Sequence, residues 1–177
     1  VLAGLGLALL VRSIGQMLEA RGRIQLYWIH TTWLGFIFIA HVNSWFLLWQ
    51  FHDVRSWTIG EFLLLLSVPT LLYLISHVAV PEIPEEIQQR FDMRAHYYAR
   101  FRMIMGLLAA SIALNFATEF LLLDQVAASQ ANAFRLVVLV LLGIGMTSSR
   151  PAVQAAVTSL LLVVFLAGLR VLDTRIE

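Results

Sequence analysis

The stretch from Trp57 to Val80, WTIGEFLLLLSVPTLLYLISHVAV, decides the fold. Its only carboxylate or guanidinium is Glu61, near the start. Coiled as an α-helix at ~1.5 Å per residue, a run of this length crosses the ~30 Å hydrocarbon layer of a bilayer. A helix satisfies its own backbone groups where water is absent, so the segment is predicted to span a membrane. Pro69 lies inside it and removes one backbone hydrogen bond, which predicts a kink.

The flanks repeat this pattern. Apolar segments over 1–18, 27–50, 101–123, 134–148 and 152–169 accompany 57–80. Together they predict an all-α integral membrane bundle of about six spanning helices, with 1–177 as one domain. Polar stretches separate the segments: 19–23 with Gly22, 52–56, the long 81–99, 124–132, and a tight turn at Ser149-Arg150-Pro151. The first apolar run reaches only Val11 before Arg12, so further residues are expected upstream of Val1.

Composition agrees. Hydrophobic residues make up 60% of the chain and charged residues 13%, whereas a soluble domain carries roughly half and a quarter. A net charge of +1 leaves no basic surface able to track phosphates, so nucleic acid is not expected as a partner. The absence of cysteine excludes disulfides, thiol catalysis and Cys-ligated metal.

All 12 basic residues are arginines, and their placement predicts orientation. With the N-terminus outside, the inner loops hold Arg12, Arg21, Arg23, Arg90, Arg94, Arg100, Arg102 and Arg150, and the outer side holds Arg55, Arg135, Arg170 and Arg175. The bias puts both termini outside and 81–99 in the cytoplasm. Tyr27 and Trp28 at one end of the second segment, with Trp45, Trp49 and Trp57 near the other, supply the aromatic belts.

Two stretches carry a resemblance. GLGLALLVRSIGQMLEARGRIQLYWIHTTW, Gly4 to Trp33, and FDMRAHYYARFR, Phe91 to Arg102, resemble a widespread family of small polytopic bacterial membrane proteins with no assigned activity. The resemblance covers about the first two-thirds of the chain. It implies multi-pass topology and a bacterial inner-membrane location, and it assigns no functional residue.

Polar residues at membrane depth are the candidate sites, since charge and hydrogen-bonding capacity are costly in hydrocarbon. His30, His41 and His52 recur every eleven residues along one stripe of the second segment, and His77 closes the third. Antiparallel packing of those segments predicts His30 and His77 at similar depth, the disposition of axial ligands to a b-type haem. The alternative is a set of interfacial histidines bonded to water or headgroups. No other cofactor and no metal site is expected.

His41, Asn43, Asn115, Glu119 and Arg135 form a predicted polar track, to be read as a path for a proton, ion or small solute. The preferred reading of the same residues is structural: interhelical hydrogen bonds and a Glu119–Arg135 pair that sets helix register. Gly106, Ala109, Ala110, Ala113 and Ala117 fall on one side of the fourth segment and predict a close-packed seam, to which Gly143 and Gly145 could contribute from the fifth. Arg94, Tyr97, Tyr98, Arg100 and Arg102 predict a lipid-interface collar suited to anchoring or to anionic lipid. No nucleophile elbow, metalloprotease helix or phosphate loop occurs, and no enzymatic activity is expected.

Three functions remain, in this order: a non-catalytic subunit of a larger respiratory or photosynthetic membrane complex, or a self-associating one; a small channel or transporter around His41; and a haem-binding electron carrier.

Overall fold

The computed structural model describes residues 2–49, 51–52, 56–83, 90–123 and 130–171. The described residues form α1 (Leu2–Glu19), β1 (Ile24–Gln25), α2 (Trp28–Trp49), α3 (Ile59–Ala79), β2 (Phe91–Asp92), α4 (Met93–Leu123), α5 (Gln130–Thr147) and α6 (Pro151–Val171). The fold is an all-α bundle with one short parallel bridge. Ile59–Ala79, Met93–Leu121 and Pro151–Gly168 are long and apolar enough to cross a membrane, which is compatible with a membrane location.

Helix ends follow local chemistry. Thr58 and Glu61 form a capping box at the start of α3: the Glu61 N–H donates to Thr58 Oγ1 at 3.3 Å and the Thr58 N–H to Glu61 Oε2 at 2.8 Å. That accounts for the lone carboxylate in the deciding stretch. Asp92 caps α4, its Oδ1 accepting from the N–H groups of Arg94 and Ala95 at 2.8 and 3.2 Å. The helix therefore starts at Met93, well ahead of the expected 101, and runs for 31 residues. Pro151 occupies the first position of α6, where its missing N–H costs nothing.

α3 lies at the centre, packed most extensively on α4 and next on α1, with α2 also against it. α5 packs on α4 and α6, and α6 reaches back to α2. The parallel bridge pairs Ile24 with Phe91 and Gln25 with Asp92, and the Phe91 N–H donates to the Arg23 carbonyl at 2.8 Å. It fastens the α1–α2 connection to the start of α4 over a small core of Ala20, Ile24 and Met93. The main core contains Trp33, Ile37, Leu72, Ile75, Tyr97, Phe101, Met105 and Leu142. Outward-facing Leu63, Leu121, Leu160 and Val163 are exposed, as lipid contact requires and water would not favour.

The predicted small-residue seam on α4 is found in part: Gly106 and Ala109 pack inward, and Gly145 of α5 contributes, but the seam does not extend to Ala110 and Ala113. Ala110 and Ala113 are exposed, while Phe101, Ile104, Met105, Ser111 and Thr118 turn inward. Burying a bulky side chain removes more area and gains more dispersion contact than burying a methyl, so α4 rotates its large face into the core. Close approach occurs at two of the glycines that the sequence singled out, Gly145 and Gly106. A Cβ on Gly145 would stand 2.8 Å from Met105 Sδ, and one on Gly106 would stand 3.4 Å from Met146 Cε. Gly143 faces open space.

Candidate functional site

α2 divides the predicted polar track. Two residues advance a helix by about 200°, so His41 and Asn43 leave it on opposite sides. His41 is buried against α1, where Gly6 makes room for its ring. Its Nδ1–H donates to the Ile37 carbonyl at 2.9 Å, which leaves Nε2 as a buried acceptor with no partner among the described residues. Asn43 instead lines a cavity of about 440 Å³ bounded by α2, α3, α4, α5 and α6.

Three members of the track meet at that cavity: Asn43, Asn115 and Arg135. Trp33, Phe36, Phe134 and Phe165 give it aromatic walls, and Leu72, Leu108, Val138 and Leu161 give it aliphatic ones. Glu119 takes no place in the lining. It grips Arg135 through both carboxylate oxygens, one to each terminal guanidinium nitrogen, while Arg135 also donates to Asn132 Oδ1 at 3.1 Å. The expected Glu119–Arg135 pair is present, joining α4 to α5.

The hydroxyls on the wall are committed to their own helices: Ser44 donates to the His41 carbonyl at 2.7 Å and Ser111 to the Leu108 carbonyl at 2.8 Å. Asn43 and Asn115 make no side-chain hydrogen bond among the described residues. Asn43 and Phe46 are exposed, so the cavity is accessible from that side. A second, water-sized void beside Pro69 is lined by Ser44, Leu65, Asn115 and Thr118. There the proline leaves the Leu65 carbonyl without its usual i+4 donor.

At its other end the cavity stops at Trp33, whose indole N–H donates to Thr158 Oγ1 at 3.1 Å. Beyond it lies a packed layer. Tyr97, expected in the lipid-facing collar, is fully buried, and its hydroxyl donates to Gln154 Oε1 at 2.7 Å. The ring carries too much apolar area to leave at the rim when its hydroxyl finds a buried acceptor. Gln154 Nε2 in turn donates to the carbonyls of Gly145 at 2.8 Å and Ser148 at 2.6 Å, locking the α5–α6 turn.

The other residues of the expected collar are exposed or, for Tyr98, half-buried. Arg94 is exposed, its guanidinium carbon 5.9 Å from the centres of both the Tyr27 and Tyr98 rings, and the two tyrosine hydroxyls lie 3.2 Å apart. Arg102 is exposed and donates to the Met146 carbonyl in the last turn of α5 at 3.2 Å. Arg100 donates to His96 Nδ1 at 3.1 Å, and His96 Nε2–H donates to the Ala79 carbonyl at 3.2 Å. The neutral imidazole is thereby satisfied at both nitrogens.

The expected haem pair does not assemble. His77 is exposed at the end of α3, whereas His30 is fully buried and meets His96. The His30 and His96 rings touch edge to face with centroids 5.3 Å apart, and Tyr97 closes the other side at 6.1 Å. Direct ring contact leaves no space for a porphyrin between the two imidazoles. Neither nitrogen of His30 has a partner among the described residues. His52 is exposed and stacks on Trp49 at 5.2 Å.

Sequence reading missed Gln154, Thr158, Trp33 and Gly6. The signal for the first two was present: polar residues four apart share a helix face, and here they stand inside the apolar run of α6. Compared with known proteins, the chain matches no family model, no curated protein and no solved structure.

Proposed function

We propose that this chain is a six-span bacterial inner-membrane protein of the small polytopic type it resembles, and that its bundle binds a small amphipathic molecule without transforming it. The observation that carries this reading is the cavity of about 440 Å³, which falls within the ~300–1,000 Å³ range of ligand sites. Its walls are mostly apolar and a few polar groups converge on it, the usual composition of such sites. The packed layer of Trp33, Tyr97 and His30 below it favours a one-ended binding chamber over a continuous ion path. His41, on the far side of α2, takes no part in the chamber.

Native mass spectrometry of the chain extracted in mild detergent tests the reading. A non-protein adduct of small-molecule mass is expected on the unaltered chain, and Ala40→Phe, which fills the wall, is expected to remove it. Bare protein in both preparations sinks the proposal. A subunit role is the second reading, favoured by the exposed small face of α4 at Ala110 and Ala113, where another helix could approach closely. The same spectra decide it, since a partner chain or a second copy adds its own mass.

The six-span arrangement, with both termini outside, rests on the arginine bias. Cysteines introduced at Ser56 and Ser149, both exposed in short connections, are then expected to react with an impermeant maleimide from opposite faces, Ser149 from the cytoplasm. Labelling of both from one face removes the arrangement.

A further inference from the structure

The charge state of the cavity wall narrows the ligand class. Among the described residues Arg135 is the sole charged one lining the cavity, and Glu119 neutralises it with one carboxylate oxygen on each guanidinium arm. Asn132 takes a further contact with that guanidinium. An anionic headgroup would have to compete with a bidentate carboxylate already in place, and a cation would find that carboxylate already engaged. Either would also bring its charge into a largely apolar chamber, where desolvation is expensive.

The wall hydroxyls of Ser44 and Ser111 donate to backbone carbonyls. That leaves the carboxamides of Asn43 on α2 and Asn115 on α4 as the polar side chains of the wall with uncommitted capacity. Each carboxamide offers donors and an acceptor but no charge, so together they match a head that both accepts and donates hydrogen bonds. The exposure of Asn43 and Phe46 gives a lipid-soluble molecule access from that side.

We infer that the cavity takes an uncharged amphiphile, an apolar chain or ring carrying a hydroxyl head, with the head on Asn43 and Asn115 and the apolar part against Trp33, Phe36 and Phe165. The inference rests on the binding function proposed above and specifies its ligand.

Two photoreactive probes of equal chain length test it: hexadecanol and hexadecyl sulfate, each with a diazirine in the chain. Each is photolysed with the unaltered protein in nanodiscs and the labelled peptides are mapped. The alcohol is expected to label the walls around Phe36, Leu108 and Phe165 at least about tenfold more than the sulfate, and excess unlabelled hexadecanol is expected to suppress that labelling. Asn43→Leu and Asn115→Leu, similar in size, are each expected to weaken alcohol labelling roughly 2- to 10-fold, the equivalent of one hydrogen bond. Equal or stronger cavity labelling by the sulfate overturns the uncharged class while leaving the binding function standing. Alcohol labelling untouched by both asparagine substitutions overturns the placement of the head. Cavity labelling by neither probe above that of heat-denatured protein overturns the binding function and this inference with it. The comparison of probes on the unaltered chain stands even if a variant fails to fold.

Discussion

Gly6→Ala is expected to destabilise the bundle by about 1–3 kcal/mol, although the same change in an open helix position stabilises by up to ~1 kcal/mol through helix propensity. The sign is decided by His41. A Cβ at Gly6 would overlap the imidazole at Nε2 and stand 2.9 and 3.1 Å from Cδ2 and Cε1. The ring cannot simply swing aside, because Nδ1 is held by the Ile37 carbonyl at 2.9 Å and the side chain is fully buried. Relief therefore breaks that hydrogen bond or lifts α1 from α2, and α1 also packs on α3. Unfolding titrations in mixed micelles provide the measurement, with Gly4→Ala as the internal standard because nothing lies within 4 Å of its added methyl. His41→Ala should rescue: in the double variant the methyl occupies vacated space, and an interaction energy of at least about 1 kcal/mol is expected. If Gly6→Ala and Gly4→Ala behave alike, α1 does not sit against His41 as described.

That clash also shows where sequence reading stopped. A long apolar run reads as a spanning helix because the requirement is local: each backbone group must be satisfied within the segment, whatever its neighbours. The stretch from Trp57 to Val80 is such a case, and α3 occupies Ile59–Ala79. Which side of a helix faces inward is not local. In water, polarity marks the outer face, but a helix that is apolar on all sides carries no such mark. His41 and Asn43 therefore looked like one polar cluster, and only packing shows that one turns to α1 and the other to the cavity. Ala113 looked like a seam residue for the same reason and is exposed.

The start of α4 was misjudged for a different cause. Arg94 and Arg100 suggested a connection, yet arginine is a good helix former and long enough to reach an interface from a helix surface. Asp92 ahead of them was the legible cap. Tyr97, three residues from both Arg94 and Arg100, went inward because Gln154, from a distant part of the chain, supplies the acceptor for its hydroxyl. A hydrogen bond across 57 positions has no sequence signature. The Glu119–Arg135 pair was legible because opposite charges at the facing ends of two consecutive segments have few other partners in a bilayer.

Gln154→Leu should be the most damaging polar deletion in the bundle. The side chain is fully buried and makes three hydrogen bonds, to the Tyr97 hydroxyl, the Gly145 carbonyl and the Ser148 carbonyl. Side-chain hydrogen bonds between membrane helices average only about 0.6 kcal/mol, so three of them come to roughly 2 kcal/mol. The deletion costs more than that sum, because it strands a buried hydroxyl and two carbonyls near a turn, and each stranded group adds about 1 kcal/mol or more. A loss of about 5 kcal/mol is expected. Tyr97→Phe removes one hydroxyl and strands Gln154 Oε1 but leaves Nε2 its two carbonyl partners, so it should lose about 1–2 kcal/mol. Adding Tyr97→Phe to Gln154→Leu removes a stranded group, and the double variant should be no less stable than Gln154→Leu alone. The readout is the same micelle titration, paired with proteolysis at the α5–α6 turn, which should accelerate in Gln154→Leu and stay at background in Tyr97→Phe. Equal stabilities for Gln154→Leu and Tyr97→Phe would mean that the turn carbonyls are satisfied without Gln154, and that this glutamine does not hold α5 and α6 against α4.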